Sequence, residues 1–142
     1  MRRFDLVGVV LLALALGVQA DDADNKAMQG TWTAVKAELA GMPMPPGFLK
    51  SIVLKRDEGK YEVTVGGKLD RGTYALESSA TPKAMTLRGT EGPNVGKTFL
   101  CIYKIDGDTL EVCYDLAGAT TPTEFKTVGT DLYLATYARK KD

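Results

Sequence analysis

Hydrophobic and polar residues alternate along this chain in short bursts, each closed by residues that favour turns. Tyr61-Glu62-Val63-Thr64-Val65 is the cleanest case, with side chains pointing alternately to two faces. Gly66-Gly67 follows and predicts a two-residue hairpin into a strand over Lys68–Leu76, pairing Val65 with Lys68, Val63 with Asp70 and Tyr61 with Gly72. Upstream, Gly30-Thr31-Trp32 opens a first strand with Val35, Ala37 and Leu39 on one face, and Ser51–Arg56 forms the second, with Ile52 and Leu54 on one side. Asp57-Glu58-Gly59-Lys60 supplies the turn between the second strand and Tyr61–Val65. Downstream lie Ala84–Arg88, a hairpin over Lys97–Tyr114, a short strand at Thr123–Lys126 and a last one at Asp131–Ala138. About eight or nine strands at this spacing predict an all-β sandwich or barrel. Consecutive tight hairpins favour a meander, and a meander closes into an up-and-down barrel that leaves no free edge.

The Lys97–Tyr114 hairpin carries the strongest core signal. A two-residue Asp106-Gly107 turn sets Tyr103 against Leu110, Cys101 against Val112 and Phe99 against Tyr114, gathering the large apolar side chains on one face. Cys101 and Cys113 then point to opposite faces. A three-residue turn over Asp106–Asp108 would instead bring the two cysteines together as a candidate disulfide, and both registers stay open here. Between the first two strands, Gly41–Gly47 holds three prolines, which predict a rigid loop without helix. Its neighbouring Met42, Met44, Phe48 and Leu49 are expected to cap one end of the core or to form a hydrophobic lip around an opening.

The N-terminus has a different pattern. Met1-Arg2-Arg3 precedes an apolar run from Leu6 to Val18, and Val18-Gln19-Ala20 is followed by Asp21-Asp22. A basic start, a short apolar core and small residues at its end predict a secretory signal peptide over residues 1–20. The run is too short to span a bilayer comfortably, which takes about 20 residues. The mature domain is then residues 21–142, exported to the periplasm or beyond, with no membrane span. A short helical turn over residues 24–29, capped by Asp24 and stopped by Gly30, leads into the first strand.

Charge and chemistry narrow the functional classes. The whole chain has 18 basic and 18 acidic residues, so it lacks the clustered positive charge that nucleic acid requires. It contains no histidine, which removes the usual activation of serine or cysteine nucleophiles and the commonest metal ligand. Two cysteines cannot complete a zinc site, and Asp106-Gly107-Asp108 lacks the further ligands of a calcium loop. Gly92-Pro93-Asn94-Val95-Gly96-Lys97-Thr98 is one residue short of a phosphate loop and precedes a strand, so it reads as a turn. The sequence therefore predicts no catalytic residues, no metal and no cofactor. Lys68 and Asp70 fall on the inner face of their strand, either as a polar anchor at a cavity mouth or, the favoured reading, as a solvated strand end.

A set of motifs carries a resemblance. Gly30-Thr31-Trp32 resembles the Gly-x-Trp signature of lipocalins. That resemblance implies an eight-stranded barrel whose closed end is plugged by Trp32, with Arg139 packed across it by cation–π stacking. Met28–Trp32, Tyr61–Lys68, Gly92-Pro93-Asn94, Gly96-Lys97-Thr98, Ile102-Tyr103, Asp106–Leu110, Val112-Cys113-Tyr114 and Pro122–Phe125 together resemble a lipocalin-like (calycin-like) domain family of uncharacterised function expanded in planctomycete bacteria. The likeness covers nearly all of the mature chain. It departs at Thr121, where that family often has Arg, and at Cys101, where Gly is common. It implies fold and export and names no substrate.

The expectation is thus an exported, non-enzymatic barrel that binds a small apolar or amphipathic molecule. The candidate cavity residues are Tyr61, Val63, Asp70, Tyr74, Met85, Phe99, Tyr103, Leu110, Val112 and Tyr114. An eight-stranded barrel is either filled by side chains or holds one small ligand. The filled case predicts an envelope protein-interaction module acting through its loops.

Overall fold

The computed structural model describes residues 21–129 and 131–141, so the expected signal peptide lies outside the described residues. A helix, α1, spans residues 21–28. The strands are β1 (Gly30–Leu39), β2 (Met42–Pro43), β3 (Ile52–Asp57), β4 (Lys60–Val65), β5 (Lys68–Glu77), β6 (Ala84–Glu91), β7 (Thr98–Asp106), β8 (Thr109–Asp115) and β9 (Leu132–Arg139), and α2 (Pro46–Lys50) precedes β3. The order β1-β3-β4-β5-β6-β7-β8-β9, with β9 returning to β1, is a closed eight-stranded antiparallel up-and-down barrel, and β2 adds a two-residue flap to the end of β1. The meander expected from the turn pattern is therefore present and closed.

Registers follow turn chemistry. The β4–β5 pairing is the one expected, Val65 with Lys68, Val63 with Asp70 and Tyr61 with Gly72. The β7–β8 pairing differs by two residues, with Ile105 opposite Leu110, Tyr103 opposite Val112 and Cys101 opposite Tyr114. The turn is centred on Gly107-Asp108 instead of Asp106-Gly107. Gly107 has a φ of 56° and takes the first central position, as a type II′ turn requires. A shift of two preserves the side-chain alternation, so the same residues still face the core. Cys101 faces inward, Cys113 pairs with Ile102 on the outer face, and both are free thiols.

Four further expectations are corrected. Val35 is squeezed out by a bulge between Ala34 and Lys36 and is exposed, so the inner face of β1 runs Trp32, Ala34, Ala37. Helix α1 already spans residue 21, so Asp24 lies within it and is not its cap. Prolines do not exclude helix after the loop, because Pro46 occupies the first turn of α2, where a missing N–H costs nothing. Residues 123–126 form bends, not a strand. That segment covers the outer face of the β7–β8 hairpin, placing Phe125 beneath the Lys104 ammonium at 4.1 Å and the Lys126 carbonyl near the Cys113 thiol. This cover explains how Ile102 and Cys113 are buried on the outside of a barrel.

The two ends of the barrel differ. At one end lie α1, the short turns after β3 and β7 and the connection over residues 78–83. At the other lie β2, α2, the Gly66-Gly67 turn and the connections over residues 92–97 and 116–131. Trp32 plugs the first end with no exposed surface; its indole N–H donates to the Met28 carbonyl, and the Arg139 guanidinium lies 4.3 Å from its ring. Arg139 also donates to the Ala27 and Gln29 carbonyls at the end of α1 and pairs with Asp108. Trp32 and Arg139, the two residues for which the resemblance implies a closing role, thus lie together at this end.

Candidate functional site

The filled end and the hollow end share one barrel. Met28, Trp32, Met85, Tyr103, Leu110 and Val112 pack the closed half with almost no exposed surface. The other half encloses a cavity of about 300 Å³. Its walls are Ile52, Leu54, Arg56, Tyr61, Val63, Val65, Asp70, Leu87, Phe99, Tyr114, Tyr133 and Tyr137, with Leu39, Met44, Phe48, Asn94 and Leu116 toward the mouth. Met44 and Phe48 thus form part of a hydrophobic lip, whereas the nearby Met42 is exposed.

Of the expected cavity residues, the structure brings Tyr61, Val63, Asp70, Phe99 and Tyr114 to the cavity wall. Tyr74, Met85, Tyr103, Leu110 and Val112 do not line it and belong to the packed core. Alternation identifies the inner face but not the depth at which side chains stop filling it, which depends on side-chain volumes across the whole barrel. Tyr103 sits at the plugged end, where its hydroxyl donates to Asp24 at 2.7 Å. Asp70 is not a solvated strand end. It is 8% exposed, its Oδ2 accepts from the Asn94 amide at 2.6 Å, and its buried Oδ1 has no hydrogen-bond partner among the described residues. Lys68, two residues closer to the turn, is exposed as the solvated reading expects.

The residue that alternation could have added is Arg56. It continues the inward series Ile52, Leu54 by one step and is 2% exposed. Its guanidinium lies 4.7 Å from the centre of the Tyr74 ring, and Nη1 approaches the Met85 sulfur at 3.3 Å. Its buried Nε has no partner, and among the described residues no carboxylate pairs with it. Such a burial is costly unless compensated. Beside it, Tyr61 lies flat against Gly72, where a Cβ would come within 2.2 Å of the Arg88 carbonyl oxygen and 2.5 Å of the Tyr61 ring. Burial, with the Asp70 carboxylate adding to it, pushes the Tyr61 hydroxyl up to about 12. On the opposite wall the Tyr114 and Tyr137 hydroxyls share a 2.7 Å hydrogen bond, and burial raises both above the ordinary phenol range.

The cavity therefore offers an apolar wall, one fixed cation, one carboxylate and protonated phenols. Burial likewise pushes the Cys101 thiol up, away from the thiolate a nucleophile requires. Among the described residues no cluster of histidine, cysteine or acidic side chains is placed to hold a metal. Nor, among them, is any helix long and apolar enough to cross a membrane.

Comparison of the chain with protein-family models, with curated proteins and with solved structures finds no match. The β-barrel and its half-hollow interior therefore carry the functional argument.

Proposed function

We propose that this protein is an exported, lipocalin-like binding protein without enzymatic activity, which takes up one small apolar or amphipathic molecule. The observation that carries the reading is the division of the barrel into a plugged half and a hollow half, with a cavity of about 300 Å³ walled by aliphatic and aromatic side chains. Binding sites for small molecules are concave, mostly apolar and marked by a few polar groups, and cavities of about 300–1,000 Å³ are typical. At about 30 Å³ for each water-sized group, this one takes on the order of ten heavy atoms. The leader-like N-terminus and the motif resemblance support export and kinship with the lipocalin-like family named above.

Native mass spectrometry of the protein purified from its own host tests this reading. A stoichiometric small molecule, lost when Val63→Trp fills the cavity, is the expected result. A barrel that carries nothing and takes up no amphiphile in titration would overturn it.

A second reading rests on the rim. Leu39, Met42, Leu69, Val95, Leu116 and Val128 are exposed apolar residues at or beside the open end. Contiguous exposed apolar surface marks contact sites. A protein partner captured by the wild type and lost on Met42→Asp, with the cavity empty, would favour an interaction module.

A further inference from the structure

We infer that the ligand carries an anionic head group and enters head first, its charge meeting the guanidinium of Arg56 at the floor of the cavity. This rests on the small-molecule binding proposed above and names the chemistry of that molecule. Arg56 is a permanent cation, so it cannot shed its charge to escape burial as lysine or a carboxylic acid can. It is 2% exposed, and its Nε points at no acceptor. The Tyr74 face and the Met85 sulfur are weak partners that leave the guanidinium short of a counter-charge.

Depth fixes the ligand's direction. Arg56 lies two residues beyond Leu54 toward the plugged end of β3, and its guanidinium packs on Tyr74 and Met85 of the filled core. Asp70 pairs with Val63, which pairs with Leu54, one layer nearer the mouth. Two residues along a strand separate the layers by about 7 Å. The acid is also partly provided for, since the Asn94 amide donates to it. The uncompensated charge is thus the cation, and it lies deepest. A carboxylate would complete it with paired N–H donors while the attached chain lies against Leu54, Val63, Leu87 and Phe99.

The test compares decanoate with decan-1-ol, which share a chain length suited to the cavity and differ at the head. At about pH 8 a carboxylic acid is fully ionised. Titrated into the full protein, decanoate is expected to bind at least tenfold more tightly than the alcohol. Arg56→Met should abolish that preference while retaining the alcohol, and without ligand it should melt no lower than the wild type. Equal binding of the two probes by the wild type overturns the inference and leaves the binding function intact. So does a preference that survives in Arg56→Met. Failure of both probes to bind removes the binding function itself. The wild-type comparison stands even where the variant fails to fold.

Discussion

Trp32 and Gly72 serve the barrel in opposite ways, one by bulk and one by the lack of it. Trp32 fills the closed end and has its N–H satisfied, so Trp32→Ala removes a whole plug and is expected to cost about 3–5 kcal/mol in denaturant unfolding. Arg139→Lys keeps the charge yet loses the planar group that stacks on Trp32 and spans two helix-end carbonyls. It should lower stability by about 1–2 kcal/mol, almost as much as Arg139→Ala. Gly72 gives the Tyr61 ring its seat. A Cβ at Gly72 also meets the Arg88 carbonyl oxygen, so Gly72→Ala must shift the β5–β6 backbone as well as the Tyr61 ring, and both stability in denaturant and amphiphile affinity should fall. The thiols give a simple chemical check. Both are buried on opposite faces of the β7–β8 hairpin, and burial raises both above the ordinary thiol range. Neither should react with a thiol reagent in the native state, both should react after denaturation, and oxidants should form no intramolecular bridge.

At the level of strands and loops, the connection over residues 116–131 is the part most dependent on one side chain. Asp115, at the end of β8, accepts hydrogen bonds from the Ala117, Ala119 and Thr120 backbone N–H groups, and these hold its carboxyl below the usual range. A depressed folded-state value stabilises above the unfolded value of about 3.9, and that contribution is lost as pH falls through the folded value. Unfolding measured from pH 6 downward should therefore show a shallower acid limb in Asp115→Ala than in the wild type. Elements of this kind also mark where the sequence was legible. The pairing of β4 with β5 was readable to the residue because alternation and a two-glycine turn agree. In the β7–β8 hairpin both Asp106-Gly107 and Gly107-Asp108 could host the turn, so only the faces were readable, not the pairing. The Pro122–Lys126 segment has strand-like composition, but it lies over an existing sheet face and gains burial there without pairing. Arg56 was hidden because a lone arginine after two apolar inward positions looks like the end of a strand.

For the whole molecule, closure of the barrel and hollowing of its interior have different legibility. Closure follows from a meander with too many strands to leave two edges open. The cavity depends on how side chains from nonadjacent strands meet across the axis, which period-two reasoning does not address. A ligand held there binds only the folded barrel, so at about a hundredfold excess over its Kd it should raise unfolding free energy by about 2.7 kcal/mol. Thermal shift with decanoate checks this, and the gain should vanish in Val63→Trp.

Both ends of the described chain meet at the plugged end. The Lys140 N–H donates to the Thr31 carbonyl, Arg139 grips the end of α1, and Asp21 is held by Ser78 in the turn after β5. A handle attached at Asp22 or Lys141 therefore emerges from behind the plug. Fixed to a surface through either residue, the barrel would face its opening outward, into the medium. Dyes on these two residues would both stand at the plugged end and stay blind to filling, whereas a dye on Met42 would stand at the doorway and report it.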